Sequence, residues 1–303
     1  MTKAFLQKSQ NICTKNNRLK EKVAFGFLFF CAFLVLCLLG LTLIYIFSKG
    51  LKEAFSWHYL FSAPMGGRSD TGGILYPLIG TLYLILGALA IAAPIGISSA
   101  IYLNEYADQN SKYIKTARFA IDSLAGIPSV IYGLFGLAFF VSFLSFKHSL
   151  LSGSLSVGIM ILPLIIRTAE EAIKSIPQSY RDASYALGAN KVQTIFKVVL
   201  PSSISGILTG IMLSIGRAIS ESAVLILAAG GSITALPRLF GFDFPFVLPD
   251  SGRTLAVHLY YQATSYDAGE KVFATAVVLI VLVLILNLVA FFSFGKKFSI
   301  RGK

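Results

Sequence analysis

Charged side chains are scarce in this chain. Asp, Glu, Lys and Arg make up 13% of its 303 residues, whereas hydrophobic residues make up 55%. A soluble globular domain has about a quarter of its residues charged, so this composition excludes an ordinary soluble domain. The mean hydropathy of +0.75 is that of a membrane protein.

Cysteine and histidine are also few, with three residues of each. No CxxC pair occurs, and two of the cysteines lie inside a hydrophobic run, where cysteine usually behaves as a small apolar residue. The histidines are isolated in segments that we expect to face outward, as surface residues. We therefore predict neither a metal site nor a disulfide at Cys13, Cys31, Cys37, His58, His148 and His258.

Motifs of catalysis and nucleotide binding are missing as well. The chain contains no GxxxxGK[ST] phosphate-binding loop, no GxSxG nucleophile motif and no HExxH metalloprotease motif. The sequence predicts no catalytic site and no cofactor bound by this chain itself.

Long hydrophobic runs are what the chain has instead. A helix of about 20 residues crosses a hydrocarbon core of roughly 30 Å, and these runs do not alternate as barrel strands do. We predict an all-α polytopic membrane protein with six transmembrane helices near 23–47, 74–103, 118–145, 150–167, 204–229 and 272–294.

The first run, 23–47, is too long for the core of a signal peptide and has no cleavage pattern after it, so we expect an uncleaved anchor. With the N-terminus inside, 17 of the 26 Lys and Arg residues fall in inside segments and seven in outside segments. The positive-inside rule then predicts cytoplasmic termini, with basic tails at 1–22 and 295–303. The net charge of +12 is an orientation signal rather than a sign of nucleic-acid binding.

Two other segments leave alternatives open. The run 74–103 would measure about 45 Å as a helix, so it is either tilted and kinked or leaves the bilayer before Pro94. The outward segment 231–271 is rich in aromatic residues, Pro and Gly, unlike a disordered linker. It is either a loop folded over the bundle, with an interfacial helix, or a docking surface for an external partner.

The cytoplasmic segment 179–201 is polar yet patterned like packed structure. We predict two short amphipathic helices that meet at Gly188, each opened by a capping-box pattern. Such a module must bury an apolar face against its own bundle or against another protein. The capping pairs are Ser179 with Asp182 and Asn190 with Gln193, and the apolar faces are Ala183, Ala186 and Leu187 in the first helix and Val192, Ile195, Phe196 and Val199 in the second.

This segment resembles the coupling loop of ABC importer permeases. The family pattern is EAA, three residues, Gly, nine residues, and Ile-x-Leu-Pro. Here Asp182-Ala183-Ser184 take the EAA places, Gly188 takes the glycine place, and Val198-Val199-Leu200-Pro201 close the pattern. Asp for Glu, Ser for Ala and Val for Ile are the departures. The resemblance implies that this loop seats in a groove of a separate ATPase subunit, which accounts for the missing phosphate-binding loop.

Further stretches are similar to the PstA family of phosphate importer permeases, from about residue 70 to the C-terminus. They are GGILYPLIGTLYL (72–84), APIGISSAIYLNEYA (93–107), LAGIPSVIYGLFGL (124–137), RTAEEAIKSIPQSYRDASYALGA (167–189) and LPSSISGILTGIMLSIGRAISESA (200–223). Ser220-Glu221-Ser222 departs from the Gly-Glu-Thr typical of the family. The resemblance implies a type I ABC importer permease architecture, with the transmembrane domain at 70–294 and the first span as an extra helix.

The same resemblance implies the partners and the location. They are a homologous permease subunit (PstC-like), two ATPase subunits (PstB-like) that bind ATP and Mg, and an external phosphate-binding protein (PstS-like), all at a bacterial inner membrane. The expected function is the phosphate permease subunit. Sulfate or another oxyanion is the alternative substrate, and an ion-gradient-driven secondary transporter is the alternative of a different class.

Two charged residues lie in the hydrophobic run 204–229. Charges at membrane depth cost at least about 2.5–3.5 kcal/mol each, so they face protein or water. On a continuous helix, Arg217 and Glu221 fall within about 80° of Gly206, Gly210 and Ser214, a stripe of small residues that favours close helix packing.

Two roles for this pair remain open. It is an ion pair that fixes packing, or Arg217 lies on an anion pathway where Glu221 orients it and limits anion binding. Arg167 is a further pathway candidate, or it snorkels to the cytoplasmic interface.

Overall fold

A computed structural model describes the backbone of residues 2–62, 72–232, 251–265 and 269–299, and the side chains of all of these except 2–20 and 290–299. In chain order the α-helices are α1 (Thr2–Ala54), α2 (Trp57–Phe61), α3 (Leu75–Ile101), α4 (Lys112–Ala125), α5 (Ser129–Gly136), α6 (Leu150–Lys174), α7 (Gln178–Ala186), α8 (Lys191–Thr194), α9 (Leu200–Ser220), α10 (Ala223–Ala228), α11 (Leu255–Thr264) and α12 (Glu270–Ser299). Three π-helical segments extend or precede them: π1 (Tyr102–Tyr106), π2 (Leu137–Phe143) and π3 (Ile195–Val199).

Five helical stretches in the described ranges are long and apolar enough to cross a membrane, or six if one bent pair counts as a span. The five are Glu21–Ala54, Leu75–Tyr106, Leu150–Lys174, Lys191–Ser220 and Glu270–Val289. The prediction of an all-α polytopic membrane protein is confirmed.

Helix α1 stands apart from most of the bundle. It packs mainly against α12, and its contact is close at Gly50, where an added Cβ would meet the backbone of Phe273. In the most apolar 18-residue stretch of Glu21–Ala54, no residue is buried by the described part of the chain. Its side chains are therefore available to lipid or to another protein.

Helix α6 forms the centre of the fold. It packs against α3, α9, α5 and α10. In its most apolar 18-residue stretch, 67% of the residues are buried. Gly96 of α3 allows this close approach, since a Cβ there would lie 2.6 Å from Cγ2 of Ile165. The helix runs to Lys174, beyond the predicted end at 167, because the intervening Ala, Glu and Lys residues favour helix outside the membrane.

The prediction of one helix over 118–145 is wrong. This stretch comprises α4 and α5, which meet at an angle of 97°. The break is at Pro128, which has extended ψ (137°) and no N–H to donate to a continuing helix. Helix α4, which has no buried residues, is amphipathic and does not continue the apolar run of α5.

The prediction of one helix over 204–229 is also wrong. Helix α9 ends at Ser220, the backbone is extended at Glu221 (φ −77°, ψ 120°), and α10 begins at Ala223. The Ser220 hydroxyl donates to the carbonyl groups of Gly216 and Arg217 inside the last turn. Such back-bonding competes with the helical pattern where the helix ends.

The module predicted on the cytoplasmic side consists of α7, α8 and π3. Asn190 and Gln193 form the expected capping box, with N···O distances of 2.8 and 3.0 Å. Gly188 follows α7 with φ +81°, as expected for a glycine after a helix end. The prediction of a capping box between Ser179 and Asp182 is wrong. Helix α7 already begins at Gln178, so Pro177 and not Ser179 occupies the N-cap position.

The two predicted apolar faces of the module have different outcomes. Ile195 and Val199 are buried, whereas Val192 and Phe196 are exposed. The four side chains predicted to share one face of the second helix therefore do not share it. Residues 195–199 are π-helical, and successive residues of a π-helix are related by a smaller rotation than the roughly 100° of an α-helix. Ala183, Ala186 and Leu187 are exposed, so the first face packs on no part of the described chain.

Candidate functional site

The small-residue stripe of α9 packs directly on α6. A Cβ added at Gly206 would lie 2.6 Å from Cβ of Ala172, and one added at Gly210 would overlap the side chain of Thr168. Ser214 is fully buried. The stripe thus brings the backbones of the two central helices together, one residue from Arg167.

Arg217 lies farther along α9, seven residues or about 10.5 Å beyond Gly210. Its side chain is partly exposed, and its charge acts on Tyr132 of α5. The Tyr132 hydroxyl donates to the Leu124 carbonyl at the end of α4, with an O···O distance of 2.7 Å. Arg217 therefore lies near Tyr132, which links α5 to the end of α4. Among the described residues, its guanidinium has no hydrogen-bond or ion-pair partner.

Glu221 does not share a helical face with Arg217, because α9 ends one residue earlier. The alternative of an ion pair between them is wrong in this structure, since neither residue forms an ion pair within the described part of the chain. The Glu221 Oε1 atom instead accepts a hydrogen bond from the Val224 N–H, at 3.3 Å. The carboxylate thus caps α10 and is not the counter-ion of Arg217.

Arg167 has a partner that the sequence did not suggest. Its Nη2 atom forms an ion pair with Oδ1 of Asp122 on α4, and both side chains are partly exposed. Arg167 is therefore held between α6 and α4. Asp122 lies inside the run predicted as a single span, where nothing in the pattern pointed to it.

A buried carboxylate joins α4 to the last turns of α6. Glu170 Oε1 lies 2.8 Å from Nη2 of Arg118 and 2.6 Å from Nζ of Lys174. Arg118 also donates to the Leu103 carbonyl of π1, at 3.1 Å. These contacts hold α4, the last turns of α6 and π1 together.

The residues of the coupling pattern occupy different environments. Asp182 and Ala183 lie on the exposed side of α7, and Asp182 accepts from the Gln178 side chain at 3.2 Å. Ser184 faces inward, and its hydroxyl lies 2.9 Å from the hydroxyl of Thr194 on α8. Leu200 and Pro201 open α9. The same module exposes the large apolar side chains of Tyr180, Leu187, Val192 and Phe196.

The strongest link of this module to the bundle was missed from the sequence. Arg181, which precedes Asp182, is buried against Glu105 of π1, with 2.7 Å between Nη2 and Oε1. The two residues are 76 positions apart. The only local signal was a carboxylate directly after a hydrophobic run. Both side chains line a polar cavity of about 540 Å³ next to α7.

At the opposite end of the bundle, the prediction of a surface histidine at 258 is wrong. His258 lies on α11 and is 2% exposed. Burial, and then the positive charge of Arg253, lower the pKa of His258 to about 4. Arg253 holds α11 to the end of α10, because its Nε and Nη2 atoms donate to the Gly231 carbonyl at 2.9 and 2.6 Å.

The described part of the outward segment 231–271 thus includes a helix folded onto the bundle. Helix α11 buries Leu255, Val257 and His258. Residues 233–250 and 266–268 of this segment lie outside the described residues.

Comparisons with known proteins agree with this architecture. Residues 92–295, more than half of the chain, match the family of binding-protein-dependent transport system inner membrane components. An inward-facing structure of the MetNI methionine ABC transporter superposes with a TM-score of 0.51 at 20% identity, covering 74% of this chain and 92% of that chain. This likeness confirms the fold of an ABC importer permease.

Three relatives are named as phosphate transport system permease proteins of the PstA type. The Pasteurella multocida protein is 31% identical, with 92% of this chain and 96% of that protein covered. The Mycobacterium leprae protein is 30% identical, with 89% and 87% covered. A Mycoplasma pneumoniae homologue is 34% identical over 88% of this chain, which spans only 41% of that longer protein. The chain belongs to the family of binding-protein-dependent transport system inner membrane components, as a multi-pass ABC importer permease of the PstA type.

Proposed function

We propose that the chain is the permease subunit of an ATP-driven importer of inorganic phosphate. The observation that carries the proposal is the guanidinium of Arg217, which has no hydrogen-bond or ion-pair partner in the part of the chain that the structure describes, whereas a charge at membrane depth ordinarily has a partner. A guanidinium forks onto the oxygens of phosphate or sulfate, so an anion in transit supplies that partner. The names of the PstA-type relatives favour phosphate between the two.

In this proposal three residues act on the anion. Arg217 contacts it where α4 and α5 break. Glu221, whose carboxylate accepts a hydrogen bond from the Val224 N–H, keeps a negative charge near Arg217. This charge weakens anion binding enough for the anion to be released. Arg167, paired with Asp122, adds a positive charge between α6 and α4.

The cytoplasmic module couples this pathway to ATP. We propose that the exposed side of α7, with Asp182 and Ala183, seats on an ATPase subunit together with the apolar side chains around it. Ser184 and Gly188 shape the turn between α7 and α8, and Leu200-Pro201 join it to α9. Two ATPase subunits hold ATP and Mg, and this chain binds no cofactor of its own.

The remaining partners complete the transporter. A homologous permease subunit forms the other half of the pathway, and an external phosphate-binding protein delivers the anion. Both termini lie in the cytoplasm, as the distribution of basic residues indicates. ATP binding closes the ATPases, moves the module and shifts the bundle from an inward-open to an outward-open population.

The test is uptake of labelled phosphate by the complete transporter in vesicles. We expect uptake that requires ATP and the external binding protein and that excess sulfate does not inhibit. Inhibition by sulfate with equal potency would identify a general oxyanion permease. Uptake that continues without ATP and stops when ion gradients collapse would refute the ATP-driven mechanism.

A further inference from the structure

Arg181 of α7 and Glu105 of π1 form a buried ion pair. The Arg181 Nε and Nη2 atoms lie 3.1 and 2.7 Å from Oε1 of Glu105. The side chains are 9% and 7% exposed. Both charges depend on this contact, because a buried charge that loses its partner is strongly destabilised.

Arg181 also binds the end of α6. Its Nη1 atom donates to the Ile176 carbonyl at 2.8 Å, and its Nη2 atom donates to the Ile173 carbonyl at 3.2 Å. The last carbonyl groups of a helix have no partner within the helix. One guanidinium therefore joins three segments: α7, the end of α6, and π1.

The other contacts of α7 are of a different kind. Helix α7 packs against α8 and π3, and its Ser184 hydroxyl bonds to Thr194 of α8. These contacts hold the cytoplasmic module together. Arg181 provides a buried ion pair from that module to π1 and binds the end of α6, while Lys191 of α8 adds a cation–π contact with the Tyr106 ring of π1, at 4.7 Å.

Glu105 lies at one end of a continuous helical rod. Helix α3 has 27 residues, about 40 Å in length, and π1 extends it on the cytoplasmic side. Near its other end, Thr81 Oγ1 accepts a hydrogen bond from the Leu255 N–H of α11, at 2.9 Å, and Gly80 lies against the Arg253 carbonyl. A displacement of α7 that is transmitted to Glu105 therefore reaches the external end of the bundle through α3.

We infer that Glu105 and Arg181 are positioning residues for transport, and that their ion pair makes α7, the end of α6 and α3 move as one body. This role rests on the proposed ATP-driven function. It does not require contact between either residue and the transported anion.

The variants are Glu105→Gln, which keeps the shape and removes the charge, and Arg181→Lys, which keeps the charge and loses the fork. Asp108→Asn is the matched control, because Asp108 is exposed and lies three residues from Glu105. The complete transporter with its external binding protein is reconstituted in vesicles. Recovery of the complex, ATP hydrolysis and phosphate uptake are measured on the same preparation.

In Glu105→Gln the buried Arg181 keeps the Ile176 and Ile173 carbonyls as acceptors, and in Arg181→Lys the charge opposite Glu105 is retained. We therefore expect both variants to assemble and to hydrolyse ATP at rates within about twofold of the wild type, while uptake per ATP falls by about tenfold. Asp108→Asn keeps the wild-type ratio. A merely structural role would lower the yield of complex and leave uptake per ATP of the assembled fraction unchanged. That result, or failure of both conservative variants to assemble, would overturn the inference.

A second readout is independent of the substrate. The three native cysteines are replaced, and Tyr76→Cys then introduces a single cysteine at the external end of α3. The rate at which a thiol reagent labels this cysteine is measured without nucleotide and in the complex trapped with ATP and vanadate. We expect trapping to change the rate in the parent complex and to leave it unchanged in Glu105→Gln. An equal change in both would overturn the inference, whereas a parent complex that responds to ATP but carries no phosphate would refute only the proposed substrate.

Discussion

The Glu221 carboxylate accepts a hydrogen bond from the Val224 N–H, with 3.3 Å between Oε1 and N, and so caps the helix that follows the break in the fifth hydrophobic run. We expect Glu221→Ala to lower the free energy of unfolding by about 1 kcal/mol, because the cap is lost. Glu221→Gln keeps an acceptor oxygen and should lower it by less. Thermal unfolding of the purified complex measures both changes, and equal stabilities of the two variants would contradict the cap.

The Arg217→Lys variant tests whether phosphate transport needs the forked geometry of the guanidinium or only its positive charge. The ammonium keeps the positive charge but lacks the fork that binds two oxygens at once, so we expect phosphate uptake to fall by roughly tenfold in a normally assembled complex. Lys115→Gln, which removes an exposed cation from α4, is the control and should transport normally. Near-normal uptake by Arg217→Lys would argue against contact with the anion.

Gly210→Ala tests the packing of α9 on α6. Its Cβ would overlap the Thr168 side chain, so we expect a loss of about 1–3 kcal/mol in the free energy of unfolding. Gly216→Ala on the same helix is the matched control, because a Cβ at 216 has no described atom within 4 Å. The control should be neutral or more stable by up to about 1 kcal/mol, since alanine favours helix over glycine.

Gly188→Val tests the left-handed turn after α7. The φ of +81° is strained for a β-branched residue, although a Cβ there meets no described atom within 4 Å. We expect the strain, about 1–2 kcal/mol, to shift the turn and reduce both uptake and recovery of the ATPase subunits with the complex. Gly188→Asn should retain most of the activity, because asparagine adopts this conformation more readily. Equal activity of the two variants would mean that the turn geometry is unimportant.

His258 makes stability depend on pH. Its pKa falls to about 4 in the folded chain, from the usual 6.5, so the unfolded chain binds a proton that the folded chain does not between those values. The full contribution is present above pH 6.5, and we expect stability to decrease by up to about 3 kcal/mol as the pH falls toward 4.

The check on His258 is a variant that cannot titrate. In a background of otherwise unchanged residues, His258→Gln should flatten the dependence of the unfolding temperature on pH between 6.5 and 4. His58→Gln, at an exposed histidine, should leave it unchanged. A slope that survives in His258→Gln would assign the pH dependence to other groups.

Features encoded by nearby residues could be predicted from the sequence. The close packing at Gly206 and Gly210, the left-handed Gly188 and the capping box of Asn190 with Gln193 each depend on a few adjacent positions. Hydrophobic length predicted the five continuous spans, and the spacing of the coupling pattern predicted the family. These signals act locally, so they need no knowledge of which helices meet.

The breaks and long-range contacts could not be predicted in this way. Pro128 signalled a break, but the apolar residues on both sides suggested a continuous span. No Pro or Gly marks the end of α9 at Glu221, where side-chain hydrogen bonds end the helix. The pairs of Glu105 with Arg181 and of Asp122 with Arg167 depend on how the helices pack, and the burial of His258 depends on how α11 folds back.

The apolar side of the cytoplasmic module also has a consequence for the biogenesis of the protein. Leu187 is 89% exposed and Phe196 is 61% exposed. Such surfaces promote aggregation when no partner covers them. A cell that makes this chain in excess of its partners would accumulate an aggregation-prone orphan subunit, which favours synthesis of the subunits in matched amounts.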